Sequence, residues 1–219
     1  MISKQKNFLF IHVPKTGGNS IQKILFQYSE DEIARINDKH DGEERFEIRN
    51  RNYDITKHST LAEYKSVLVG SQLSKLYKFA TIRNPWDMLI SYYFSPHRGA
   101  VSWNRENFKR FIPTVAPLRH YTYVPNLLDT IAQKLKLPIH SGGAIRDIDF
   151  LIRYEHLQSD FNTLCNTLKL QKQILPHKNA SSKEHYSEYY DDELINLVRR
   201  RFPEEIRIGG YQFDEKRHA

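Results

Sequence analysis

A lysine, two adjacent glycines and three side chains able to donate hydrogen bonds fall together in Pro14-Lys15-Thr16-Gly17-Gly18-Asn19-Ser20. A glycine pair lets the main chain come close to an anion, and the N–H groups at the start of a helix favour phosphate. Thr16, Asn19 and Ser20 add side-chain donors, and Lys15 adds a full positive charge. A second cluster begins at Arg83, whose planar fork suits phosphate oxygens, and Ser91 follows eight residues later. Glycine pairs are often only tight turns. Here the cluster lies between an apolar run and a helical pattern, which is where an anion site is built.

The elements that must position these residues read as strands and helices in alternation. Phe8 to Val13 is a near-continuous apolar run ended by Pro14, the pattern of a buried strand in a parallel sheet. Ile21, Ile24, Leu25 and Tyr28 then recur at helical spacing. Val67 to Gly70 reads as a second short strand and Phe79 to Ile82 as a third. A helix is expected from Pro85, capped by Asn84 and carrying Trp86 to Phe94. Ile148 to Tyr154 is a further strand and Glu155 to Leu170 an amphipathic helix, with Cys165 on its apolar stripe. Asp191 and Asp192 open a last helix that runs through Phe202. Residues 30 to 57 are too polar to read, 95 to 147 read as short helices and loops, and 176 to 190 as a polar loop. The alternation predicts an α/β fold with a mainly parallel central sheet, in which Lys15 and Arg83 each sit just past the end of a strand.

The order of the phosphate cluster excludes two common patterns. In the Walker A motif the lysine follows the glycines, whereas Lys15 precedes them, and the dinucleotide pattern G-x-G-x-x-G is absent. The seven residues from Pro14 to Ser20 instead resemble the 5′-phosphosulfate loop of the sulfotransferases that use PAPS (3′-phosphoadenosine 5′-phosphosulfate). Phe79 to Asp87, with Ser91 and Tyr92 beyond, resembles the 3′-phosphate segment of that family, including its step from Arg83 to Ser91. Asp149 to Leu157 with Asp160-Phe161, and Leu175 to Ser182 with Tyr186 to Tyr190, resemble segments of the carbohydrate branch, which includes heparan and chondroitin enzymes and soluble bacterial members. The resemblance spans most of the chain and is weakest over 30 to 55 and 95 to 145.

The resemblance implies a P-loop-like sulfotransferase fold and transfer of a sulfuryl group from PAPS to an acceptor hydroxyl, in that branch the hydroxyl of a carbohydrate, with PAP as product and no metal. Lys15 would stabilise the leaving phosphate oxygen, Thr16, Gly17, Gly18, Asn19 and Ser20 would hold the 5′-phosphate, and Arg83 and Ser91 the 3′-phosphate. Lys178, Asn179, Ser181 and Ser182 would close over the nucleotide. His58, in Lys57-His58-Ser59-Thr60, is the candidate general base, with a carboxylate such as Glu43, Glu44 or Glu47 as the alternative. His12 lies within the strand and reads as structural. Arg98, Trp103, Arg105, Lys109, Arg110 and Tyr121 could line a sugar site or, for the aromatics, belong to the core.

The bulk numbers set the remaining bounds. A chain of 219 residues with one cysteine suits a single domain over 1–219 in a reducing compartment. No targeting segment or apolar run of spanning length is visible, so the expectation is a cytoplasmic protein without a membrane span. The net charge of +7 fits an anionic partner without choosing one, and the run Arg199 to Arg201 reads as a solvated helix face. Two other readings stay open. A P-loop-type phosphotransferase or nucleotide hydrolase would need a magnesium-binding acid. A non-catalytic binding module for anionic polymers would leave Lys15 and Arg83 unexplained; nucleic acid is not the expected partner.

Overall fold

The computed structural model describes residues 1–35, 46–49, 55–68, 70–95, 101–135, 143–176 and 184–214. Its centre is a four-stranded sheet made of β1 (Ile2–Ser3), β2 (Phe8–Ile11), β5 (Tyr77–Ile82) and β6 (Phe150–Arg153), in that order. β2 pairs parallel with β5, and β5 pairs parallel with β6, while the short β1 runs antiparallel at the edge. The expected α/β fold with a mainly parallel sheet therefore forms.

The period of two along the strands divides the core into layers. Leu9 and Ile11 of β2 pack with Ala80 and Ile82 of β5 on one face. Phe8 and Phe10 pack with Phe79 and Ile152 on the other. All four residues of β2 are fully buried, which explains its unbroken apolar run. The Phe10 and Phe79 rings stack across the ladder with centroids 5.0 Å apart. Cys165 is buried in the second layer, on α8 (Leu157–Thr167).

α1 (Gly18–Leu25) follows β2, and α4 (Pro85–Tyr93) follows β5. Asn84 caps α4 as expected, its side-chain oxygen accepting the N–H of Trp86 at 3.0 Å. α4 packs in a third core with α5 (Arg105–Phe111) and α9 (Asp192–Arg201), built on Trp86, Tyr93, Phe108, Val198 and Phe202. The stretch from 101 to 135 holds α5, α6 (Leu118–Thr122) and α7 (Leu127–Lys134), the short helices that its composition implied.

Five elements go beyond or against the sequence reading. Val67 does not start a strand: it ends α2 (Leu61–Val67). Thr60 and Glu63 form a capping box there, and Leu61, Tyr64 and Leu68 are buried at helical spacing, so capping and packing override local β propensity. Within the unreadable stretch, β3 (Glu32–Arg35) and β4 (Phe46–Arg49) pair antiparallel as a separate small sheet. Beyond α9, Pro203 opens α10 (Pro203–Gly209), where no helix was expected. One more helix, α3 (Gln72–Lys75), leads into β5.

Candidate active site

The parallel strands β2, β5 and β6 are neighbours, so their carboxyl ends lie along one edge of the sheet. Residues just past those ends are brought together: His12 to Gly17 after β2, Arg83 after β5 and Tyr154 after β6. This is where ligands bind in open α/β sheets.

The turn after β2 is a strained piece of backbone. Lys15 has φ +66° and Gly17 φ +84°, both left-handed. For lysine that conformation costs roughly 1–2 kcal/mol, and the surroundings hold it in place. The Arg83 Nη1 donates to the Lys15 carbonyl at 3.0 Å, and the Lys15 ammonium reaches the buried Ser95 hydroxyl at 3.4 Å. Thr16 Oγ1 donates to the Val13 carbonyl at 2.7 Å and bonds the Thr81 hydroxyl of β5. The Thr16 hydroxyl is thus buried and already engaged by Val13 and Thr81.

Gly17 and Gly18 are required for different reasons. Gly17 has the left-handed φ, and a Cβ there would lie 2.9 Å from the Tyr154 ring. A Cβ on Gly18 would lie 2.3 Å from His12 Cδ2. Asn19 is exposed at the start of α1. Ser20 Oγ donates to the Pro176 carbonyl at 2.9 Å, which ties α1 to the chain just before residues 177–183. Lys178, Asn179, Ser181 and Ser182 lie outside the described residues.

Arg83 joins the two motifs. Its Nε and Nη2 reach Asp87 Oδ2 at 2.8 and 2.7 Å, and its guanidinium carbon stands 3.9 Å from the Tyr154 ring centroid. Tyr154 therefore touches both Gly17 and Arg83. The next residue, Glu155, accepts the Asn84 N–H at 2.7 Å and the Tyr211 hydroxyl at 3.0 Å, pinning the start of α4. Ser91 sits half-buried on α4, two turns beyond Arg83.

His58 is exposed and stands at the same edge. Its Nδ1 lies 2.9 Å from the His12 carbonyl oxygen. A carbonyl only accepts, so Nδ1 carries the proton and the acceptor lone pair is on Nε2. The rings of His12 and His58 meet edge to face with centroids 4.8 Å apart. His12 itself is buried, and burial first, then the charges of His58, Lys57 and the chain's amino terminus, holds it well below the ordinary imidazole range. Of the alternative bases, Glu43 and Glu44 lie outside the described residues, and Glu47 is on β4.

The structure sorts the candidates for a sugar site. Trp103 packs against Tyr93, Phe108 and Tyr189. Arg105 is held by Glu106, Asp191 and Glu193, and Lys109 by Glu193. Tyr121 packs on the first core. Arg110 lines a cavity of about 540 Å³ with Tyr93, Ser102, Asn107 and Phe111. Arg98 lies outside the described residues. Arg201 of the basic run donates to the Val115 carbonyl at 3.0 Å, so that run is not wholly a solvated face. Tyr154 and Ser95 were not singled out from sequence as site residues. The position of Tyr154 one residue past a parallel strand, like that of Arg83, is the signal that could have found it.

The site thus defines an α/β protein with a glycine turn, a lysine ahead of it, at the carboxyl edge of a mainly parallel sheet. The chain matches the model of the sulfotransferase family over residues 1–212 and belongs to that family. It is accordingly a transferase of sulfuryl groups. No curated protein and no solved structure matched it. Among the described residues, no helix is long and apolar enough to cross a membrane, and no group of three or more His, Cys, Asp or Glu could hold a metal ion.

Proposed function

We propose that this sulfotransferase takes its sulfuryl group from PAPS and delivers it to a hydroxyl of a carbohydrate. The observation that carries this reading is the coupling of the two phosphate motifs: Arg83 grips the carbonyl of Lys15 and so holds the glycine turn in its left-handed form. One nucleotide with phosphates at both ends would engage both motifs together. The N–H groups of residues 16–20 and the N-terminus of α1 would hold the 5′-phosphate. Arg83 and Ser91 would hold the 3′-phosphate, with Lys178, Asn179, Ser181 and Ser182 closing over the nucleotide.

Sulfuryl transfer, like phosphoryl transfer, moves a group in line between two oxygens, and the protein mainly positions and neutralises charge. His58 Nε2 takes the proton of the acceptor hydroxyl. The acceptor oxygen bonds to sulfur as the bond from sulfur to the 5′-phosphate oxygen breaks. Lys15 stabilises the negative charge that develops on that leaving oxygen, and PAP departs. A polar cavity lined by Tyr93, at the end of α4, suits an acceptor rich in hydroxyls. There Arg110, Asn107 and Ser102 offer hydrogen bonds beside the Phe111 ring.

The test is incubation with ³⁵S-labelled PAPS and a panel of unsulfated oligosaccharides, including heparosan and chondroitin, next to phenols and tyrosine peptides. Label on an oligosaccharide, lost in Lys15→Ala, is the expected result. Label only on phenols or peptides would overturn the carbohydrate reading, and label on none with ATP consumed instead would overturn the donor.

A further inference from the structure

The basic run Arg199-Arg200-Arg201 does not act as one face. Arg201 turns to the Val115 carbonyl, whereas Arg199 lines a cavity of about 480 Å³ together with Arg207 of α10. That volume lies within the range of small-molecule sites. Trp86, Ile206, Tyr211 and Phe213 supply an apolar and aromatic wall. Among the described residues no carboxylate lines the cavity, and neither does Arg83 or any residue of the turn from Pro14 to Ser20. It therefore shares no lining residue with the phosphate motifs.

The wall is fixed in place while the charges are not. The Tyr211 hydroxyl donates to Glu155 at 3.0 Å, and the Trp86 indole donates to the Ile195 carbonyl at 3.4 Å. The Phe213 ring meets Trp86 edge to face at 5.7 Å, and the N–H of the next residue, Asp214, donates to the Tyr186 hydroxyl at 2.9 Å. The two guanidiniums have little to hold. Among the described residues Arg207 has no hydrogen bond or ion pair, and Arg199 donates only to the Asn196 side-chain oxygen, at 3.0 Å. Like charges brought to one cavity repel, and an anion between them relieves that. We propose that this cavity is a second anion site, which takes a ring compound carrying a sulfate or phosphate ester. The planar forks of Arg199 and Arg207 match the ester oxygens, and the ring lies against Tyr211 and Phe213. A sulfated sugar, the kind of product the proposed reaction makes, and a phosphorylated sugar share this chemistry.

The test is ¹H–¹⁵N NMR of the two tryptophan indoles during titration with N-acetylglucosamine 6-sulfate, with the 6-phosphate and with the uncharged sugar. Trp86 lines the cavity, whereas Trp103 packs against Tyr93, Phe108 and Tyr189, so the pair of signals separates this site from the rest of the protein. A saturable shift of the Trp86 signal is expected with at least one ester and not with the uncharged sugar. Arg199→Gln combined with Arg207→Gln should weaken that binding roughly tenfold or more. Tighter binding of the sulfate assigns the sulfated sugar as the occupant, and tighter binding of the phosphate assigns the phosphorylated one. A Trp86 signal that neither ester moves overturns the inference, and that result requires no variant to fold. A loss of less than about threefold in the paired variant overturns it too. Arg207→Gln alone, which removes a side chain without a partner among the described residues, replaces the pair if that variant folds poorly, and the same loss is expected of it.

Discussion

Replacing Arg83 by lysine separates the charge of this residue from its geometry. Arg83 uses three nitrogens at once: Nη1 on the Lys15 carbonyl at 3.0 Å, and Nε and Nη2 on Asp87 at 2.8 and 2.7 Å. A lysine ammonium keeps the charge but cannot span both partners or lie flat on Tyr154. The phosphate turn would lose the bond that holds Lys15 in its left-handed conformation. A hydrogen bond from a charged donor contributes about 1.5–3 kcal/mol, which converts to a loss of roughly 10- to 150-fold in affinity at about 1.4 kcal/mol per decade. Calorimetric titration with PAP should therefore show Arg83→Lys binding at least tenfold more weakly than the unmodified protein, with urea unfolding followed beside it because the same bond also stabilises the free protein. A change in affinity under threefold would refute the claim that the fork, rather than the charge, couples the two motifs.

Lys15→Gly should abolish transfer and yet raise stability by about 1 kcal/mol, because glycine accepts the left-handed φ without strain; urea midpoints beside activity check this. Gly18→Ala should destabilise by roughly 1–3 kcal/mol, the cost of overpacking, since its Cβ would fall 2.3 Å from His12 Cδ2, and it should depress PAP binding as well. Phe79→Ala should cost about 3–5 kcal/mol through the cavity left between β2 and β6, measured by denaturant unfolding. Asp160 provides a pH test. Burial alone would raise its carboxyl, but the hydrogen bonds and charge of Arg153 outweigh that and bring it below the usual carboxylate range. A carboxyl depressed in the folded state stabilises above its unfolded value, near 4, and that contribution is lost as pH falls through the folded value. The stability gap between the unmodified protein and Asp160→Asn should therefore be widest near neutrality and narrow below about pH 4.

Local chemistry carried most of what the sequence disclosed. The turn from Pro14 to Ser20 and the Arg83 cluster were readable because each lies directly between a strand pattern and a helix start, and Asn84-Pro85 is a helix start in two residues. Strand order is a matter of long-range pairing, so the position of Tyr154 one residue past a strand hinted at the site edge without showing that it meets Gly17 and Arg83. Val67 reads as the start of a strand because Val67-Leu68-Val69 is apolar with two β-branched residues, while the capping box that decides the matter begins seven residues earlier, at Thr60. The engagement of the Thr16 hydroxyl with Val13 and Thr81 is a fact of packing that residue types do not disclose. Residues 30 to 57 stayed unreadable because a small hairpin set apart from the main sheet has no extended apolar pattern to announce it.

Titration of the protein with PAP in the absence of metal, beside ATP with Mg²⁺, tests the central claim most directly. The account expects tight binding of PAP without metal, and loss of that binding in Arg83→Ala. Binding of ATP only when Mg²⁺ is present would contradict it.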